Sequence, residues 1–284
     1  MKGMAVGSSI HCNTEYTALK KVLMVKPTFM KITKAINETQ KHYKETNIDT
    51  SLALKQHEAF VDVLKEHDVE VNELPPNPRL HEQVFTRDIA FTIHDQLFIS
   101  SMGEQVRKDE TAILKAWLQE NSLPYQEGLP HSIEGGDVVI DGSTIWIGKS
   151  GRTSFRAIGN LQNRLPSYRI EPITLRKDTL HLDCVFNIIS EHTALVYPPA
   201  FTEKDLRKIK SHFDVIPISK EEKFHMGPNV LSIGNKKVIS LLQNDRLNQV
   251  MESKGYLILP VDFSEIIKSG GSFRCCTLPL EREQ

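Results

Sequence analysis

The chain has 284 residues, enough to bury roughly three quarters of its unfolded surface around a sizeable core. Lysine and arginine number 35 against 36 aspartates and glutamates, so no field of one sign draws nucleic acid or an anionic bilayer to the whole molecule. The expected partner is a small molecule. The opening MKGMAVGSSIHCNTEY has no apolar run of secretory length and no stretch reaches membrane-span length, which points to the cytoplasm. Thiols stay reduced there, so Cys12, Cys184, Cys275 and Cys276 read as core residues or chemistry rather than a disulfide framework.

In chain order, TALKKVLMVKP (17–27) reads as a strand and DTSLALKQHEAFVDVLKEHD (49–68) as an amphipathic helix. LPPNPRLHEQ (74–83) is one polar connection, and with no low-complexity linker the whole of 1–284 reads as one domain. Four hairpins follow: TRDIAFTIHDQLFIS, EGGDVVIDGSTIWIG, HLDCVFNIISEHTALVYP and GPNVLSIGNKKVISL. Between them lie helical segments at 111–121, 201–213 and 244–255, each followed by a short strand, LPYQEG, DVIPIS and YLILPV. Each unit is therefore ββαβ. Asp88, Asp137, Asp183 and Asn229 precede the hairpins at intervals of 49, 46 and 46 residues, and one further step of 46 reaches Cys275. A fixed period of this length signals a radial or stacked array, here a propeller-like α/β ring. Its last unit, cut short after CCTLPL, would be completed by the chain's start, which would hide both sheet edges.

In such a ring equivalent positions converge on the axis. That gathers Asp88, Glu134, His181, Asp183 and Cys275. A cysteine with a histidine supplies a thiolate nucleophile and a general acid, and carboxylates around them hold a cation. A guanidinium carbon fits this set: it is planar and cationic, offers forked N–H donors, and resists attack until its charge is fixed and its leaving nitrogen protonated. Taken singly, HLD and EGGD read as ordinary strand-end and turn residues, Cys184 as a core residue, and Arg107 and Arg152 as surface charges; two such arginines can also bind a carboxylate bidentately. The joint spacing favours chemistry.

FTRD, IEGGD, GRTS, HLDCVFN and GGSFRCC, in this order, resemble the guanidino-modifying superfamily of arginine deiminases, amidinotransferases and dimethylarginine dimethylaminohydrolases. The resemblance spans nearly the whole chain and implies a five-bladed α/β propeller, the pentein fold. It implies a guanidinium between Asp88 and Glu134, His181 as general acid and base, and Cys275 as nucleophile. It also implies Arg107 and Arg152 at a substrate α-carboxylate, Glu82 toward the α-amino group, and no metal or organic cofactor. Length leaves no room for the helical insertion of the deiminases, and Glu82 also leans toward the dimethylarginine hydrolases. FTRD and HLD look like deiminases and amidinotransferases, and Asp183, a further carboxylate, favours free N–H groups over methyl groups. The implied product is a ureido compound such as citrulline plus an amine, through a covalent thiouronium. The alternatives are a deiminase, an amidinotransferase, or a propeller that binds a protein without chemistry. A homodimer is compatible with the sequence.

Overall fold

In the computed structural model, which describes residues 10–284, the recurrence in the sequence becomes five small sheets; residues 1–9, on which the expectation of a leaderless start partly rests, lie outside the described residues. Strand β1 (Leu19–Met24) is followed by the helices α1 (Glu38–Tyr43) and α2 (Thr50–Glu66) and by β2 (Glu70–Glu73), which lies parallel to β1. The one-turn helix α3 (Thr86–Ile89) leads into the hairpin β3 (Ala90–Ile93) and β4 (Gln96–Ile99), followed by α4 (Glu110–Glu120).

Three units then repeat one plan: a hairpin, a helix, and a strand parallel to the hairpin's second arm. They are β5 (Val138–Asp141), β6 (Thr144–Lys149), α5 (Phe155–Arg164) and β7 (Arg169–Thr174); then β8 (Phe186–Ser190), β9 (Thr193–Val196), α6 (Glu203–His212) and β10 (Asp214–Pro217). After the short helix α7 (Lys220–Phe224) come β11 (Leu231–Gly234), β12 (Lys237–Leu241), α8 (Asp245–Ser253) and β13 (Leu257–Val261). The last strand, β14 (Leu278–Arg282), runs antiparallel to β1, so the two ends of the described chain share a sheet, with α2 as its crossover.

Local chemistry starts the helices. Ser154 caps α5 and Thr202 caps α6, each accepting an N–H from the first turn, and Ser219 with Glu222 forms a capping box on α7. The largest apolar cluster draws on β1, α2, β6, β8 and β12 and ends on Phe273, Cys275 and Cys276.

One expected strand does not form. LPYQEG joins the β3–β4 hairpin only at Gln126, whose N–H bonds Leu97 O at 2.7 Å and whose carbonyl accepts Ile99 N at 3.0 Å. Pro124 has no N–H to extend the ladder. Among the described residues no helix is long and apolar enough to cross a membrane.

Candidate active site

Just before each first strand the chain makes a tight turn, and these turns carry the residues singled out by spacing. Asp88 lies on α3, Glu134 opens the turn Gly135–Asp137, His181 opens the turn Leu182–Cys184, and Cys275 lies on the turn before β14. The turns bond to one another: Arg87 N–H donates to Cys275 O at 3.0 Å, and Leu182 N–H donates to Asp137 Oδ1 at 2.9 Å. Gly136 permits this approach, since a Cβ there would meet Asp88 Oδ1 and His181 Nδ1, each at 2.7 Å.

A narrow cavity of about 10 Å³, room for about one water, lies against these turns, and Cys275, His181, Asp88, Arg107, Arg152 and Glu82 all line it. Glu134 and Asp183 stand one step back. Glu134 is fully buried; its Oε2 bonds His181 Nε2 at 2.7 Å and its Oε1 accepts Gly103 N–H at 2.8 Å. Asp183, expected beside the substrate, is instead taken by Arg274, whose NH1 reaches Asp183 Oδ2 at 2.6 Å. That oxygen also lies 3.5 Å from Cys275 Sγ. A buried carboxylate needs a cation, and Arg274 is nearest.

Burial alone would push the His181 imidazolium down, but Asp88, Glu134 and Asp137 outweigh it and hold its pKa up at about 10. Its Nδ1 lies 3.4 Å from Asp88 Oδ1, and neither atom has a hydrogen-bond partner among the described residues. Asp88 Oδ1 is therefore a buried acceptor beside the cavity with no donor. Asp88, Glu134 and His181 bring potential ligand atoms within 4.8 Å of one another.

The Cys184 thiol, burial and the Asp183 charge push the Cys275 thiol well above its ordinary value. Asn229 fixes the sulfur: its Nδ2 donates to Sγ at 3.1 Å and its Oδ1 accepts Cys275 N–H at 3.0 Å.

Both arginines line the cavity and are already held by protein groups. Arg107 is held by Glu110, with Nε to Oε1 at 3.0 Å and NH2 to Oε2 at 2.7 Å, and by Asp88 Oδ2, 2.5 Å from NH1. Arg152 NH2 donates to Ile36 O at 3.0 Å, and NH1 lies 3.5 Å from Glu134. Glu82 accepts from Gln40 Nε2 at 2.6 Å, and burial pushes its carboxyl up to about 7.

Sequence reasoning missed Asn229 as a site residue, although it occupies the repeat position before its hairpin that Asp88, Asp137, Asp183 and Cys275 hold in theirs. The period itself was the signal. Arg274 gave none, because its partners Glu15 and Asp183 lie in other segments, whereas Glu110 stands only three residues after Arg107.

An α/β chain of repeated units that brings a buried thiol, an imidazole and carboxylates to one cavity belongs to the guanidino-modifying superfamily, and comparison with known proteins agrees. Residues 26–282 match the family described as N,N dimethylarginine dimethylhydrolase, eukaryotic, and the chain belongs to that family. It is 48% identical over 95% of both chains to an uncharacterised protein, YkgA, of Bacillus subtilis. It is 27% identical to the N(G),N(G)-dimethylarginine dimethylaminohydrolase of Mycobacterium tuberculosis, over 92% of this chain and 86% of that one. The fold matches the N-terminal domain of ArgZ, a cyanobacterial arginine dihydrolase solved with its substrate, with a TM-score of 0.85, 23% identity, and coverage of 92% and 98%.

Proposed function

We propose that the chain is a cysteine-dependent hydrolase acting on the guanidino group of arginine or an N-methylated arginine, releasing a ureido product such as citrulline and an amine. One observation carries the reading: a single cavity is lined by the Cys275 thiol, the His181 imidazole and an Asp88 oxygen with no donor. A guanidinium N–H supplies that donor, and its positive charge draws the raised thiol pKa down, so substrate helps form the nucleophile it needs.

As the guanidinium enters, the Cys275 thiol releases its proton to solvent, and the thiolate attacks the guanidinium carbon, forming a C–S bond. The C–N bond breaks as His181, protonated at neutral pH, gives its proton to the leaving amine. Neutral His181 next takes a proton from water, whose oxygen attacks the thiouronium carbon; the C–S bond breaks and the ureido product leaves. Glu134 steadies the imidazolium, and Asp88 fixes the substrate charge. Arg152 and Glu82 line the cavity for the substrate's amino-acid end, while Arg107, bonded to Asp88 and Glu110, holds Asp88 in place. Asp183 acts from behind the sulfur. The five sheets close into a ring around this site.

The test is a panel of arginine, monomethyl-arginine, dimethyl-arginine and agmatine, each scored for ureido product, with one arm of arginine plus glycine. Ureido product and free amine support hydrolysis; a new guanidino compound means amidino transfer; no turnover of any guanidine overturns the reading.

A further inference from the structure

Beneath the thiol, away from the cavity, three arginines and two carboxylates are buried together. Arg274 NH2 lies 2.9 Å from Glu15 Oε1 and also donates to Val138 O at 2.8 Å, while its NH1 reaches Asp183 Oδ2 at 2.6 Å. Arg87 NH1 lies 3.6 Å from the other Glu15 oxygen, and Arg282 completes the group. All five residues are at most 4% exposed.

Three positive charges face two negative ones, so one positive charge in this group lacks a carboxylate while Cys275 is a thiol. Arg87 NH2, Arg274 Nε and Arg282 Nε have no hydrogen-bond partner among the described residues. Unmatched buried charge is costly, and a thiolate at Cys275 would supply the missing negative charge. Asp183 works against this. Its Oδ2 is 3.5 Å from Sγ, where an unneutralised carboxylate would oppose loss of the thiol proton.

We propose that Arg274 is a positioning residue for the nucleophile: held from below by Glu15, it neutralises the Asp183 carboxylate against the sulfur and so sets how readily Cys275 becomes a thiolate. Arg274 does not line the cavity, so it acts through Asp183 and the turn it shares with Cys275. The other groups that bear on the sulfur are Cys184 beside Asp183, the neutral Asn229 and, more remotely, Asp88, already paired with Arg107. His181, Glu82, Arg107 and Arg152 face it across the cavity. The inference rests on reading Cys275 as the nucleophile.

The experiment measures alkylation of Cys275 by iodoacetamide across pH without substrate, located by peptide mass, for the wild type, Arg274→Met, Asp183→Asn and the double variant. Thiolate sulfur displaces iodide, so the rate follows the ionised fraction. For Arg274→Met the rate at neutral pH falls about tenfold or more, the effect of one pKa unit. Asp183→Asn, nearly isosteric, alkylates faster than wild type. The double variant, with neither charge, returns to within about threefold of wild type, since the two effects share one cause. An unchanged rate in folded Arg274→Met, a double variant as slow as Arg274→Met, or an Asp183→Asn rate at or below wild type overturns the proposal. Should Arg274→Met fail to fold, the Asp183→Asn arm decides alone. Alkylation needs no guanidine turnover, so failure here is distinct from an empty substrate panel.

Discussion

Cys275 and Cys276 are neighbours in sequence but not in surroundings. The first lines the cavity and is bonded by Asn229; the second does not line it and sits wholly inside the apolar cluster. Cys275→Ser therefore lowers ureido formation by roughly a thousandfold or more while the melting temperature stays near wild type. Cys276→Ala keeps turnover within about tenfold and loses about 1–2 kcal/mol to the cavity it leaves, read by denaturant unfolding. Activity surviving in Cys275→Ser would move the chemistry elsewhere. Glu82 gives a second residue-scale outcome. Burial raises its carboxyl from the ordinary 4.5 to about 7, so the folded chain prefers the protonated form. The stability this gives is full below pH 4.5 and lost as pH rises through about 7. Glu82→Gln removes that titration, so the wild-type melting temperature falls by a few degrees relative to the variant across this window, and parallel curves would contradict the assignment.

At the scale of elements, the turns before the first strands carry the proposed site residues, and they pack tightly against one another. Gly136→Ala must displace Asp88 or His181, so both stability and turnover fall, with activity down about a hundredfold or more. Gly159, inside α5, is the contrast, because an added methyl group there would meet no atom within 4 Å. Gly159→Ala therefore stabilises by about 0.5–1 kcal/mol and leaves activity alone, as thermal melts and the ureido assay will show. This difference also explains what was legible in the sequence. Hairpins show themselves because apolar runs and turn residues are local, and the period exposed the turns that carry Asp88, Glu134, His181 and Cys275. LPYQEG reads as a strand by apolar content alone, while pairing depends on donors that Pro124 lacks. Glu15 and Arg274 were not legible because a buried ion pair is defined by its partner: the two are 259 residues apart, and no window along the chain contains both. The same holds for Asp183, whose motif suggests a substrate contact but whose neighbour in space is an arginine.

For the whole molecule, the pairing of β14 with β1 joins the two ends of the described chain. Leu278 and Leu280 are buried against the β1 region, and Arg282, 1% exposed, donates to Thr17 O and, at 2.9 Å, to Ser232 O. One side chain thus ties the last strand both to the segment before β1 and to β11, an element of a different sheet. Arg282→Met keeps most of the apolar stem but leaves the buried Ser232 carbonyl and the part-buried Thr17 carbonyl without that donor, at a cost of about 2 kcal/mol. Glu283 is the control. Its ion pair with Lys20, at 3.8 Å, is exposed at both ends, so Glu283→Ala changes stability by less than about 0.5 kcal/mol. Denaturant unfolding followed by the fluorescence of buried Trp146 separates the two variants. If the terminal strand holds the ends together, Arg282→Met unfolds at lower denaturant than Glu283→Ala, and ureido formation fails with it, because the Cys275 turn leads directly into β14. Equal midpoints for the two variants would mean that this strand closes nothing.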